Sequence, residues 1–399
     1  MLLRNKPYMN SILKGKYCKG NDKVSTQHGP VVIKPICEVA KYQRNLIPAN
    51  IPETYALKPM FKSIADESSI RNGIVAFRDF LYLFCDLLIS DGQLYANPPK
   101  KPTSMADYPF LFNITNLLVD IGYHGKLSDC GTSLIIMQLP VCTASIDENG
   151  KKVQPKISAK KTLECLRFLS LCGYEFNGID LDARTFSISP MQQIEVFYPD
   201  NPLLLIGLKA LSIADMELRK GRRYWNDNNL LRCDYRLLKA EDSDVLDVLT
   251  DFLHPLPEKI REFAFTLHRR YIDMGLTCLN TRLGEVSFAY IFTGKNKSVL
   301  SERAVYARRV WEFSYSLTKG YNLFVRSKKT DRYSDIIKQF DKSLQEKIAQ
   351  GYGCDRKLRG ERCQHGCRGI RVPLDESILK LNEDIVKWLD AETSFAVKK

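Results

Sequence analysis

Apolar residues recur at helical spacing in several parts of the chain. Spacings of three and four predict a largely buried helix over 74–89, with its apolar positions at Phe77, Phe80, Leu81, Phe84, Leu87 and Leu88. The same spacing predicts a helix over 202–218, where Pro202 suits the first turn and the interior Gly207 is unfavourable. A last helix follows Asp375, which we expect to cap it.

Three further segments each combine a helical pattern with a strand pattern. The helical patterns end at a glycine, which suits the left-handed conformation that closes a helix. They cover 110–121 before Gly122, 162–172 before Gly173, and 260–274 before Gly275. Strand patterns follow over 133–139, 185–189 and 286–292. A helix followed by a pair of strands is typical of winged-helix modules, although this succession is common in unrelated proteins.

These elements predict an α+β protein of two domains, built from helices and small antiparallel sheets in winged-helix or double-wing-like units. We expect a basic N-terminal arm over 1–50, with one short strand at 31–36, and an N-terminal domain over 51–243. A C-terminal domain follows over 244–399, and it includes strands over 310–317 and 321–327.

The overall charge is basic. The 399 residues include 59 Lys and Arg against 46 Asp and Glu, a formal net charge of +13, so the surface should attract polyanions. This excess permits nucleic-acid binding without requiring it, since many basic proteins never contact nucleic acid.

Cysteine usage and hydropathy favour a cytoplasmic protein. Twelve cysteines are too dilute for a disulfide scaffold, and most lie in apolar runs as small buried hydrophobic residues. The N-terminal residues lack the apolar core of a signal peptide. The most apolar run, 77–89, is interrupted by Arg78, Asp79 and Asp86, and is shorter than a membrane helix. We therefore expect no membrane partner.

Two basic segments are candidates for nucleic-acid contacts. Basic residues interleaved with aromatic ones suit phosphate contact combined with base stacking. The first segment contains Arg219, Lys220, Arg222, Arg223, Tyr224 and Trp225, and the second contains Lys328, Lys329 and Arg332. In the alternative interpretation, the arginines of the first segment pair with the acidic residues Glu241, Asp242 and Asp244.

The segment 351–371 gathers metal-ligand types among basic residues. Cys354, Cys363, His365 and Cys367 would satisfy tetrahedral zinc, and the neighbouring arginines would favour thiolates. Their spacing differs from the Cys-x2-Cys pairs of most structural zinc sites. A redox or disulfide role for Cys363 with Cys367 or Cys354, and a structural loop with reduced thiols, remain alternatives.

No established catalytic motif occurs in the sequence. It contains no nucleophile-elbow serine, no His-Glu-x-x-His and no glycine loop ending in Gly-Lys-Ser/Thr, so nothing positive favours an enzyme. The competing class is a small-molecule or partner-binding sensor. It would use a pocket on the C-terminal sheet lined by Trp311, Phe313, Tyr315 and Tyr321, although alternate aromatic residues along a strand also suit a filled core.

Parts of the chain resemble known sequences. The segments 351–375, 198–202 and 228–242 resemble an uncharacterised family of hypothetical proteins from Gram-positive anaerobic bacteria. The resemblance implies a bacterial cytoplasmic protein and implies no activity. The C-terminal order of helix, antiparallel strands and helix is similar to small α+β domains of the double-wing type, a likeness of fold alone.

Overall fold

The computed structural model describes residues 34–98, 108–146, 151–187, 193–221, 230–281, 286–293, 308–317, 319–326, 330–350 and 369–397. These residues fall into two compact units, of which one ends at Asp242 and the other begins at Ser243. Each unit combines helices with an antiparallel sheet, which confirms the α+β class.

The N-terminal unit contains a helical layer and a small sheet. The helices are α1 (Ile36–Arg44), α2 (Glu67–Asp91), α3 (Pro109–His124), α4 (Ala159–Leu171) and α5 (Leu203–Gly221). The strands are β1 (Lys126–Leu127), β2 (Ser133–Ile136), β3 (Ser145–Ile146), β4 (Lys152–Val153), β5 (Glu175–Asn177) and β6 (Ile194–Phe197). Strands β1, β2, β6 and β5 form one antiparallel sheet in that order, and β3 pairs with β4. Helix α5 packs against both α2 and α3.

The glycines after the predicted helices have two different roles. Gly173 follows α4 with φ +97° and Gly275 follows the helix 258–273 with φ +89°, so both adopt the expected left-handed conformation. The prediction for Gly122 was wrong, because α3 continues through it to His124. A Cβ at Gly122 would lie 2.8 Å from the Leu208 carbonyl oxygen, so this glycine allows close packing of α3 against α5.

Two local expectations for the N-terminal unit were also wrong. Of the strand predicted over 185–189, the described residues 185–187 form no strand, and residues 188 and 189 lie outside the described residues. Strand β6 occupies the position between β2 and β5. Strand β6 has two buried residues, Ile194 and Val196, on one face, whereas 185–187 buries Phe186 alone. Part of the segment 1–50 is helical, because α1 buries Ile36, Val39 and Ala40 and packs on α2. Residues 1–33 lie outside the described residues, and these include residues 31–33 of the strand expected over 31–36.

The C-terminal unit is built around a five-stranded meander. Its strands β7 (Thr277–Thr281), β8 (Val286–Ile291), β9 (Arg309–Ser316), β10 (Gly320–Val325) and β11 (Ile370–Pro373) pair antiparallel in sequence order. Its helices are α6 (Val245–Leu253), α7 (Glu258–Asp273), α8 (Ser334–Ile337), α9 (Lys342–Gln350), α10 (Glu376–Lys380) and α11 (Asn382–Val397). Asp375 caps α10 as expected, since its carboxylate accepts the Ser377 N–H at 2.9 Å. The predicted last helix is divided at Leu381 into α10 and α11.

Aromatic residues fill the core on one face of this sheet. Tyr290 stacks on Trp311 with ring centres 3.6 Å apart, and Tyr271 of α7 meets the same tryptophan edge to face. Phe252 of α6 packs on Phe288 in the same layer. Helices α6 and α7 therefore cover this face.

Candidate functional site

The strand registers bring four strand ends to one end of the C-terminal sheet. Ile291, the last residue of β8, lies opposite Arg309, the first residue of β9. Val325, the last residue of β10, lies opposite Ile370, the first residue of β11. Trp311 also pairs with Val325, which places β9 beside β10 at the same end. We call this end of the sheet the linker end.

Three basic linkers begin or finish at the linker end. They are 292–308 between β8 and β9, 326–332 after β10, and 351–369 before β11. Each has more basic than acidic residues. The basic residues are Lys295, Lys297, Arg303 and Arg308 in the first, Arg326, Lys328, Lys329 and Arg332 in the second, and Arg356, Lys357, Arg359, Arg362 and Arg368 in the third. The described ends of these three basic linkers therefore lie at one end of the sheet.

Hydrogen bonds fix the described ends of two linkers. Arg308 Nη1 donates to the Thr293 carbonyl oxygen at 3.1 Å, which joins the two sides of the first linker. The Arg326 N–H donates to the Val310 carbonyl oxygen at 2.8 Å, which extends the pairing of β9 with β10 by one residue. Both linkers therefore leave from defined positions on the sheet.

A buried ionic group lies just inside the linker end. We call Arg309, Glu312, Arg326 and Arg371 the arginine cluster. Arg309 Nη1 donates to Glu312 Oε2 at 2.7 Å, and Arg326 Nη2 donates to Glu312 Oε1 at 2.8 Å. The side chains of Arg309, Glu312 and Arg326 are 4%, 3% and 11% exposed. Breaking such a buried ion pair strongly destabilises a protein, because removal of one partner leaves the other charge desolvated and unpaired.

The other half of the arginine cluster surrounds Phe324. Glu312, Phe324 and Arg371 lie directly opposite one another on β9, β10 and β11, so their side chains share a face. The guanidinium carbons of Arg326 and Arg371 lie 4.0 and 4.2 Å from the Phe324 ring centre. Arg371 Nη1 also donates to Ser314 Oγ at 2.9 Å. Burial lowers the pKa of Arg326 from its ordinary value, in spite of the adjacent Glu312 carboxylate.

Sequence patterns did not identify the arginine cluster. Every residue of β9 is buried, so its charged residues could not be recognised by an alternation of buried and exposed positions. The available signal was the presence of Arg309 and Glu312 in a strand of otherwise apolar and small residues. Charged residues are rarely buried unless they are paired, so this pattern would have indicated a buried ion pair.

The structure describes few of the predicted nucleic-acid contacts. Arg219 lies near the end of α5, where Nε contacts Asp215 Oδ2 at 2.6 Å and Nη1 donates to Asn116 Oδ1 at 3.0 Å. The described acidic partner of Arg219 is therefore Asp215, rather than the acidic residues 241–244 of the alternative interpretation. Arg332 is exposed in the 3-10 turn Thr330–Tyr333. The following lie outside the described residues: the side chain of Lys220, and Arg222, Arg223, Tyr224, Trp225, Lys328 and Lys329.

The predicted metal ligands Cys354, Cys363, His365 and Cys367 also lie outside the described residues. Within the part of the chain that the structure describes, no group of three or more His, Cys, Asp or Glu side chains is placed to hold a metal ion. Cysteines expected to be small core residues are buried with free thiols, namely Cys85, Cys165, Cys172 and Cys278.

The aromatic residues considered as a pocket lining contribute to packing in the structure. Trp311 and Phe313 are fully buried, and Tyr315 stacks on Tyr321 with ring centres 3.9 Å apart. Phe252 of α6 covers Tyr321 with a centre distance of 5.2 Å. These contacts occupy the aromatic face of the sheet.

Among the helices of the described residues, none is both long enough and apolar enough to cross a membrane. Comparisons of the chain with protein-family models, curated proteins and solved structures give no match.

Proposed function

We propose that this chain is a cytoplasmic nucleic-acid-binding protein whose contact surface is the linker end of the C-terminal sheet. The observation that carries the proposal is the register of β8 to β11, which brings the described ends of three basic linkers to the same end of the sheet. The cysteines are few for the length of the chain and lie mostly in apolar segments, which favours a cytoplasmic location.

The chemistry of the linkers suits the phosphate backbone. Lysines and arginines neutralise phosphates and release counterions, which supplies most of the affinity for nucleic acid without reading its sequence. Lys328, Lys329 and Arg332 come shortly after β10 in the chain, and we expect them to act together with the basic residues of 351–369. Contacts between basic residues and phosphates are enough for a regulatory protein that binds many nucleic-acid sequences.

Fluorescence anisotropy with labelled single-stranded and double-stranded oligonucleotides tests the proposal. We expect binding at about 50 mM salt that weakens steeply as salt is added. The double variant Lys328→Gln, Lys329→Gln should bind less tightly, and each lost phosphate contact should reduce the salt slope by about 1. The matched control is Lys380→Gln, Lys387→Gln, which removes the same charge from exposed positions of α10 and α11.

Two results would contradict the proposal. One is the absence of binding to every oligonucleotide at about 50 mM salt. The other is an equal loss of affinity in the control variant, since binding would then depend on net charge and not on the linker end. A separate variant, Arg222→Gln with Arg223→Gln, measures whether the segment after α5 contributes.

A further inference from the structure

Strand β7 forms one edge of the C-terminal sheet. It pairs with β8, and among the described residues no strand lies on its other side. Thr277, Leu279 and Asn280 of this strand are partly exposed. An edge strand presents alternate backbone N–H and C=O groups that have no partner within the sheet, so a further strand can pair with it.

The other edges of the two main sheets are protected against such pairing. Proteins protect edge strands by keeping them short, or by placing charged residues or proline in them. Strand β11 contains Arg371 and Pro373, β1 has two residues and includes Lys126, and β5 has three and includes Glu175. Strand β7 has five described residues, none of them charged and none a proline. Among these edges, β7 is therefore the one open to a partner strand.

The sequence of β7 is complementary to itself in the antiparallel direction. It reads Thr-Cys-Leu-Asn-Thr, with Leu279 at its centre. When two copies pair about this residue, Thr277 of one protomer lies opposite Thr281 of the other. Cys278 then lies opposite Asn280. No pair brings like charges together, and opposed threonines are favourable cross-strand neighbours.

Leu279 gives this pairing an apolar centre. Its side chain packs against Ala289 and Ile291, but it remains partly exposed. A second Leu279 directly opposite would cover this apolar surface and continue the row of side chains into the next sheet. We propose that two copies of this chain associate through β7, in an antiparallel pair centred on Leu279. The same surface is used on both copies, so the contact closes at a dimer.

Sedimentation equilibrium of the full chain tests the proposal. The salt concentration should be about 150 mM, which screens the repulsion between two basic copies. One short strand from each copy makes a small contact, so we expect a weak dimer with a dissociation constant of about 1–100 µM. Wild-type protein should therefore pass from monomer to dimer between about 1 and 200 µM, without larger species.

Leu279→Lys should weaken the dimer at least about tenfold, because two lysines then meet at the centre of the strand pair. The matched control is Ile336→Lys, which adds the same charge at an exposed apolar residue of α8. This control should associate as wild type does, because Ile336 lies outside β7.

A mixture of two variants separates charge repulsion from misfolding. Leu279→Glu should also weaken the dimer, whereas an equimolar mixture of Leu279→Lys and Leu279→Glu should restore association, because opposite charges then face each other. Circular dichroism establishes that each variant is folded.

Four results would overturn the proposal. The first is wild-type protein that stays monomeric up to about 200 µM. The second is association of Leu279→Lys as tight as that of wild type, and the third is failure of the two folded variants to associate when mixed. The fourth is growth into species larger than a dimer, since β7 would then pair with a different edge of the next copy.

Discussion

Gly73 of α2 and Gly207 of α5 face each other where the two helices cross. A Cβ at Gly73 would lie 2.5 Å from the Leu203 carbonyl oxygen and 2.7 Å from the Gly207 nitrogen, so the two backbones are in contact. Gly207 is unfavourable for an isolated helix by about 1 kcal/mol, but this crossing requires it. The contact fixes the spacing of the main helix pair of the N-terminal unit.

Gly207→Ala should destabilise the N-terminal unit, because an added methyl group would overlap the Gly73 backbone. We expect the free energy of unfolding in urea to fall by about 3 kcal/mol, more than the gain in helix propensity. The control is Gly131→Ala, at a turn glycine with φ +71° and no atom near the added Cβ, where the loss should be about 1 kcal/mol. Equal losses in the two variants would contradict the packing argument.

Removing the carboxylate of Glu312 should destabilise the C-terminal unit. Glu312→Ala leaves Arg309 and Arg326 without their shared acceptor in a buried position, which costs about 3–5 kcal/mol in comparable buried pairs. Urea denaturation measures the change. Asp335→Ala breaks the exposed pair with Lys338 and serves as a control that should not alter stability measurably. A stable Glu312→Ala protein would show that the pair contributes little.

The stability of the C-terminal unit should fall as the pH is lowered below about 6.5, because of His268. Burial lowers the pKa of this imidazole; nearby Arg269 acts in the same direction and Asp244 opposes it. The unfolded chain therefore takes up a proton before the folded chain does, and stability decreases between the unfolded and the folded pKa. His268 Nδ1 also lies 2.7 Å from the Tyr290 hydroxyl oxygen. This hydroxyl can donate a hydrogen bond to Nδ1 of the neutral imidazole, but not to that of the protonated imidazole.

Urea denaturation at several pH values checks this expectation. His268→Gln should remove the loss of stability on acidification, whereas His254→Gln, at an exposed histidine, should retain it. An unchanged pH dependence in His268→Gln would assign the effect to other groups.

Cys130 should be the most reactive of the described cysteines. Hydrogen bonds with Ser128 and Thr132 lower the pKa of this exposed thiol to about 7, whereas burial raises the pKa of Cys85 to about 12. Iodoacetamide labelling at about pH 7.5, followed by peptide mass spectrometry, compares their rates. Thr132→Val should slow the labelling of Cys130, and an unchanged rate would show that Thr132 does not stabilise the thiolate.

Zinc content tests the metal prediction for 351–371. If Cys354, Cys363, His365 and Cys367 hold zinc, protein purified without chelators should contain the metal, and Cys363→Ser with Cys367→Ser should lose it. Cys130→Ser is the control, because this cysteine lies in an exposed turn. Metal-free wild-type protein would leave the redox and structural interpretations.

Helical periodicity located α2, α5 and α7 because each buries a continuous apolar stripe. It misjudged Gly122, since a glycine that ends a helix and a glycine that meets a neighbouring helix look alike in sequence. Strand β11 was missed because its four residues lie between a basic segment and the α10 cap. The arginine cluster depends on which residues of β9, β10 and β11 oppose one another, and local patterns do not specify that register.

The sequential pairing of the meander has a consequence for folding. Strands β7 to β10 each pair with the next strand in the chain, so this part of the sheet can assemble through local hairpins as the polypeptide emerges. Strand β11 joins only after residues 326–369 have been spanned, at a higher cost in loop-closure entropy. We therefore expect Arg371 to join the sheet after Glu312 and Arg326 are already in contact.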